Sequence, residues 1–181
     1  MPRITLVGYR GTGKSTVAAL VAGRLGCGWV DADAALETRL GTTIAAVVHE
    51  RGEPAFRDAE AAILHELLGA EAGVLATGGG VVLREENRAI LRRLGRPVIW
   101  LTAPADVIRA RLAADPLTAA RRPPLSGADP FAEVDAALAA REPLYREVAD
   151  AAFDTAMAEP AEVAAAIVAW LAARDRAGEQ R

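Results

Sequence analysis

ITLVGYRGTGKST, residues 4–16, passes from an apolar run through Gly8, Gly11 and Gly13 to Lys14, the only lysine in the chain. Residues 3–7 (RITLV) read as a buried strand. Beyond the glycines, Val17, Leu20, Val21 and Leu25 recur at the spacing of one helix face. Gly8 to Ser15 therefore fits G-x-x-x-x-G-K-[ST] without mismatch, between a strand and a helix as the pattern requires. Glycines let successive backbone N–H groups face inward as an anion nest, and the helix N-terminus adds positive potential. In such a nest Lys14 would reach the β- and γ-phosphates of a nucleoside triphosphate, and the Ser15 hydroxyl would ligate Mg²⁺. A chance glycine turn is the rival reading, and pattern, context and the solitary lysine together outweigh it. The turn says nothing about the acceptor.

Outward from this turn the chain alternates between strand and helix. Strands are expected at 29–31 (WVD), 74–76, 97–102 (PVIWLT) and, weakly, 151–154. Helices are expected from after residue 31 to about Leu68 with a break near Gly52-Glu53-Pro54, over 85–94, after Pro104, up to about Tyr145, and through Val163, Ile167, Trp170 and Leu171. Continuous apolar strands separated by helices imply a parallel sheet covered on both faces, hence one α/β domain over residues 1–181. Prolines, a glycine and the adjacent Arg121 and Arg122 mark 115–130 as a loop, and residues 175–181 read as a frayed tail. The 181 residues are 52% hydrophobic with a formal charge of −3, which favours a globular chain and offers no basic footprint for nucleic acid. No apolar run approaches the ~20 residues that span a bilayer, and no signal peptide is visible, so a soluble cytoplasmic protein is expected. The single cysteine, Cys27, reads as a small structural thiol.

A second glycine run, Gly78-Gly79-Gly80, follows the strand at 74–76. Ligands of open α/β sheets bind outside the C-terminal ends of the strands, where this run, Asp31-Ala32-Asp33 and the first turn all fall. One phosphate nest is enough for a nucleotide, so the second run is expected to face another small polar ligand. Arg57 and Glu60 lie at i, i+3 on a helix and can pair. Arg57 and Arg141 beside a glycine wall suit capture of a carboxylate. Asp33 could accept a proton from an attacking hydroxyl, and Asp31 could hold Mg²⁺ directly or through water. His49 and His65 read as ordinary surface or partly buried histidines, and Trp29, Trp100 and Trp170 as core.

In order and spacing, GYRGTGKST, DAD, FRDAE, ATGGG, RRPPL and REPLYRE resemble the motifs of shikimate kinases, over about residues 3–172. The resemblance implies a three-layer P-loop kinase fold, with a five-stranded parallel sheet of order 2-3-1-4-5 and a mobile lid at about 115–130. It also implies ATP-dependent phosphorylation of the shikimate 3-hydroxyl. Carried over by position, Asp33 would bind and orient or deprotonate the acceptor hydroxyl. Arg57, braced by Glu60, and Arg141 would hold the carboxylate, and Gly79 and Gly80 would line the acceptor site with Val48, Phe56, Arg10 and Gly11 nearby. Gly11, Thr12, Gly13, Lys14, Ser15 and Thr16 would cradle ATP, and Ser15 and Asp31 would hold Mg²⁺. Arg122 would neutralise phosphate charge from the lid, with Arg121 as competitor because RRPPL departs from the commoner R-P-L-L. Either Arg111 or Arg109 would pack on adenine. A monomer is expected, with shikimate and ATP as partners and neither nucleic acid nor membrane. The rivals are another small-molecule kinase of this fold, such as a gluconate or nucleotide kinase, and a nucleotide-binding regulator without turnover. A GTPase is weaker still, because no asparagine-lysine-x-aspartate segment is present.

Overall fold

The chain's computed structural model describes residues 3–71, 73–114 and 132–179. Its centre is β1 (Ile4–Val7), whose four residues are all buried, as expected of a strand covered on both faces. β1 pairs in parallel with β3 (Val74–Ala76) on one side and β4 (Val98–Thr102) on the other. β2 (Trp29–Asp31) adds beyond β3, and β5 (Ala151–Asp154) beyond β4. The order is therefore β2-β3-β1-β4-β5, all parallel, as the resemblance implies.

Parallel neighbours need crossover connections, and helices supply them. α1 (Lys14–Leu25) and α7 (Pro160–Glu179) cover one face through Val17, Val21, Ile167 and Leu171. α3 (Ile44–Gly69), α4 (Glu85–Leu94) and α6 (Ala132–Val148) cover the other through Leu64, Leu68, Leu91 and Tyr145. α2 (Ala32–Leu40) packs on α3 in a satellite cluster, and α5 (Ala105–Ala114) follows β4. α3 breaks at Gly52, where φ is +82°, just ahead of Pro54, which has no N–H to continue the helical ladder. That break lies where the sequence places it.

Three sequence readings change. Trp29 is 41% exposed, because β2 is an edge strand with no neighbour beyond it. Trp100 and Trp170 only border the core, each partly buried against it. The tail does not fray at 175: its alanines and charged residues are good helix formers, and α7 runs on to Glu179. Cys27 is a half-buried free thiol packed against the core, in keeping with a structural role. The 115–130 segment, with Arg121 and Arg122, lies outside the described residues.

The entry to β5 is fixed by Asp150. Its carboxylate accepts from Arg96 Nε at 2.9 Å and from the Val98 amide at 2.8 Å. Burial works against the charge, but Arg96 and the Val98 amide outweigh it and hold this carboxyl below its usual range. A depressed folded pKa stabilises the protein above the unfolded value of about 3.9, and the benefit fades as pH falls through the folded value. Asp150→Asn should therefore lower stability at neutral pH by about 1.5–3 kcal/mol. Thermal melts across pH should show the gap to wild type closing on acidification below the ordinary carboxylate range.

Candidate active site

The first glycine turn leaves β1 at its C-terminal end and feeds α1. Gly8 has φ +147°, and a Cβ there would sit 2.4 Å from the Leu101 carbonyl oxygen, so β4 admits only glycine. The Tyr9 carbonyl accepts from Thr12 Oγ1 at 2.8 Å, which closes the turn on itself. Lys14 Nζ donates to the carbonyls of Gly8 and Tyr9, both at 2.8 Å, and so lies folded along the turn. Ser15, in the first turn of α1, donates its hydroxyl to the Asp31 carboxylate. Asp31 ends β2 and caps α2, its other oxygen accepting from the amides of Asp33 at 2.9 Å and Ala34 at 3.2 Å. A hydroxyl touching a carboxylate beside the phosphate turn is a hard-oxygen donor set that suits Mg²⁺.

The second run is buried at all three glycines and is hemmed in by charged side chains. A Cβ at Gly78 would come within 2.8 Å of both Asp33 Oδ1 and Glu60 Oε1. A Cβ at Gly80 would lie 2.1 Å from Arg57 Nη1, and one at Gly79 would lie 3.0 Å from the Arg10 amide nitrogen. The Gly79 carbonyl accepts from the Tyr145 hydroxyl and, at 3.4 Å, from Arg141 Nη1. The run is thus the place where α2, α3, α6 and the first turn meet.

Arg57 is clamped there. Nη1 donates to Glu60 Oε2 at 2.7 Å, Nη2 and Nε donate to Glu53 Oε1 at 3.0 and 3.2 Å, and its guanidinium lies 4.7 Å from the Phe56 ring centroid. These bonds leave one N–H on each terminal nitrogen, the pair that can meet a carboxylate end-on. Burial disfavours the charge, but Glu60 and Glu53 more than offset it and raise the guanidinium above its ordinary range. Tyr145 is pushed the same way, chiefly by burial, and stays a neutral hydroxyl donor.

Most site residues expected from sequence fall into this crevice. Gly11, Thr12, Gly13, Lys14, Ser15 and Thr16 form the turn and the start of α1, and Asp33, Arg57, Gly79, Gly80 and Arg141 surround the second run. Val48 packs within the α2–α3 cluster, which also holds Phe56, whose ring lies against Arg57. Of the two adenine candidates, Arg111 faces the turn, donating to the Gly11 carbonyl at 3.3 Å and Thr155 Oγ1 at 2.9 Å. It lines a cavity of about 400 Å³ with Thr16 and Met157, whereas Arg109 pairs with Asp135 on α6. Glu53 was missed, although its i, i+4 spacing to Arg57 signals it. Thr155 was missed as well, and nothing in its neighbourhood in sequence points to Arg111. His49 and His65 are exposed on α3.

A five-stranded parallel sheet with a glycine-rich phosphate turn after its central strand, and a second buried glycine run at the end of the neighbouring strand, is a P-loop kinase fold. The sequence model of the shikimate kinase family matches residues 10–172. The shikimate kinase of Oleidesulfovibrio alaskensis is 43% identical over 96% of this chain and 99% of its own. That of Rhodopirellula baltica is 44% identical over 83% of this chain and 80% of its own. Among solved structures, a shikimate kinase from Acinetobacter baumannii in complex with shikimate superposes with a TM-score of 0.87 at 34% identity, covering 94% of this chain and 93% of that one. The chain belongs to the shikimate kinase family and is an ATP-dependent phosphotransferase.

Proposed function

We propose that this enzyme transfers the γ-phosphoryl group of ATP to the 3-hydroxyl of shikimate, within aromatic amino-acid biosynthesis. One observation carries the reading: Gly78-Gly79-Gly80 gathers Asp33, Arg57 and Arg141 onto a single patch beside the phosphate turn. Two arginines match one carboxylate, and an aspartate matches one reacting hydroxyl. A neutral sugar acceptor would give the Arg141 fork, and the N–H groups of Arg57 that Glu53 and Glu60 do not take, no carboxylate to meet.

Transfer of this kind demands alignment and charge neutralisation more than covalent chemistry. Asp33 would orient the acceptor hydroxyl and take its proton. Lys14, now lying along its own turn, would swap carbonyl partners for phosphate oxygens, and its burial strengthens that contact. Ser15 and Asp31 would hold Mg²⁺, which when bound neutralises charge on the phosphates. Arg111 would border the nucleoside, and Arg122 is assigned to the transferring phosphoryl group. The reading places the reaction in the cytoplasm, where ATP is supplied.

The test is ADP release from ATP and Mg²⁺ with and without shikimate, the product's phosphate being located by phosphorus–proton correlation. Saturable stimulation and a 3-phosphate product are expected. A folded, ATP-binding preparation whose ADP release ignores shikimate would remove the substrate assignment and leave only the nucleotide turn.

A further inference from the structure

We propose that Tyr9 is a positioning residue for Arg141, holding its guanidinium by the ring face; this rests on Arg141 binding the acceptor's carboxylate. In the pattern G-x-x-x-x-G-K-[ST], residue 9 is the first unconstrained position, and the phosphate nest asks nothing of its side chain. Yet Tyr9 is only 4% exposed, the side chain of a turn residue driven into the protein. Arg141 Cζ lies 5.2 Å from the centroid of its ring.

The two acceptor arginines are held in opposite ways. Arg57 is fixed through its N–H groups by Glu53 and Glu60. Arg141 is held by the ring of Tyr9, by the neutral Tyr145 hydroxyl beside it and, at the long distance of 3.4 Å, by the Gly79 carbonyl, with no acidic partner among these contacts. A ring face attracts the cation through its quadrupole and takes up no donor, so the planar fork stays available to a carboxylate. An acidic partner in the same place would fix Arg141 equally well but compete with the ligand. Tyr9 also borders a cavity of about 480 Å³ with Trp100 and Tyr145, so a smaller residue at position 9 would open space into which Arg141 could swing.

The experiment titrates shikimate and ADP separately into wild type, Tyr9→Phe, Tyr9→Leu and Arg141→Ala, with steady-state kinetics alongside. Tyr9→Leu should weaken shikimate binding and raise its KM by about three- to thirty-fold, the range of a cation–π contact, with kcat and ADP affinity unchanged. Tyr9→Phe keeps the ring face and should follow wild type, which a role for the hydroxyl would not permit. Equal losses of shikimate and ADP affinity in Tyr9→Leu would mean a merely structural residue and overturn the proposal. Wild-type shikimate affinity in Tyr9→Leu, with Arg141→Ala impaired, would overturn it while sparing the assignment of Arg141. Unimpaired binding in Arg141→Ala would end both.

Discussion

Asp33→Asn is expected to lower kcat by about 10²–10⁴-fold, the usual worth of a positioned general base, with little change in the KM for shikimate or ATP. The substitution is isosteric. The Asp33 backbone amide, not its side chain, makes the helix-capping bond to Asp31, so α2 keeps its start. Asp33 Oδ1 lies 2.8 Å from where a Gly78 Cβ would be, in the crevice the acceptor hydroxyl must enter. An amide of the same shape still donates and accepts a hydrogen bond there but cannot take the proton. Steady-state kinetics with both substrates varied give the split. A variant with wild-type kcat and a raised shikimate KM would make Asp33 a binding residue and remove it from proton transfer.

Arg57→Ala combines a binding loss with a folding loss. Charge-assisted bidentate contacts to a carboxylate, truncated on one side, cost about 2–5 kcal/mol, so the shikimate KM should rise by about 30-fold or more. The fold suffers too, because Glu60 is 4% exposed and pairs with Arg57. Breaking a buried pair from one side costs about 3–5 kcal/mol. Pairing the change with Glu60→Gln separates the two effects: stability should recover in thermal melts, and shikimate affinity should not. Recovery of both would make Arg57 a structural partner of Glu60 and nothing more.

Much of this was legible in the sequence for identifiable physical reasons. The phosphate turn is a local code, in which glycine spacing, lysine and hydroxyl must coincide, and its neighbours fix strand and helix on either side. The break at Gly52 and Pro54 is equally local. Arg57 with Glu60 could be read from helical spacing. That Arg111 rather than Arg109 faces the turn was readable in principle, since Arg111 lies three residues after the buried Ile108 and so shares its face. What stayed hidden depends on contacts between distant segments. Trp29 looks like core until β2 proves to be the edge of the sheet. Thr155 meets Arg111 only because β5 ends beside the turn, and the burial of Tyr9 under Arg141 follows from how α5 and α6 pack over the first turn.

The most direct measurement is a pair of calorimetric titrations, shikimate and ADP, into wild type and Arg57→Ala. Shikimate should bind wild type one to one and lose most of its affinity in the variant, while ADP binds both alike. Undiminished shikimate binding in Arg57→Ala would contradict an acceptor site built on the second glycine run.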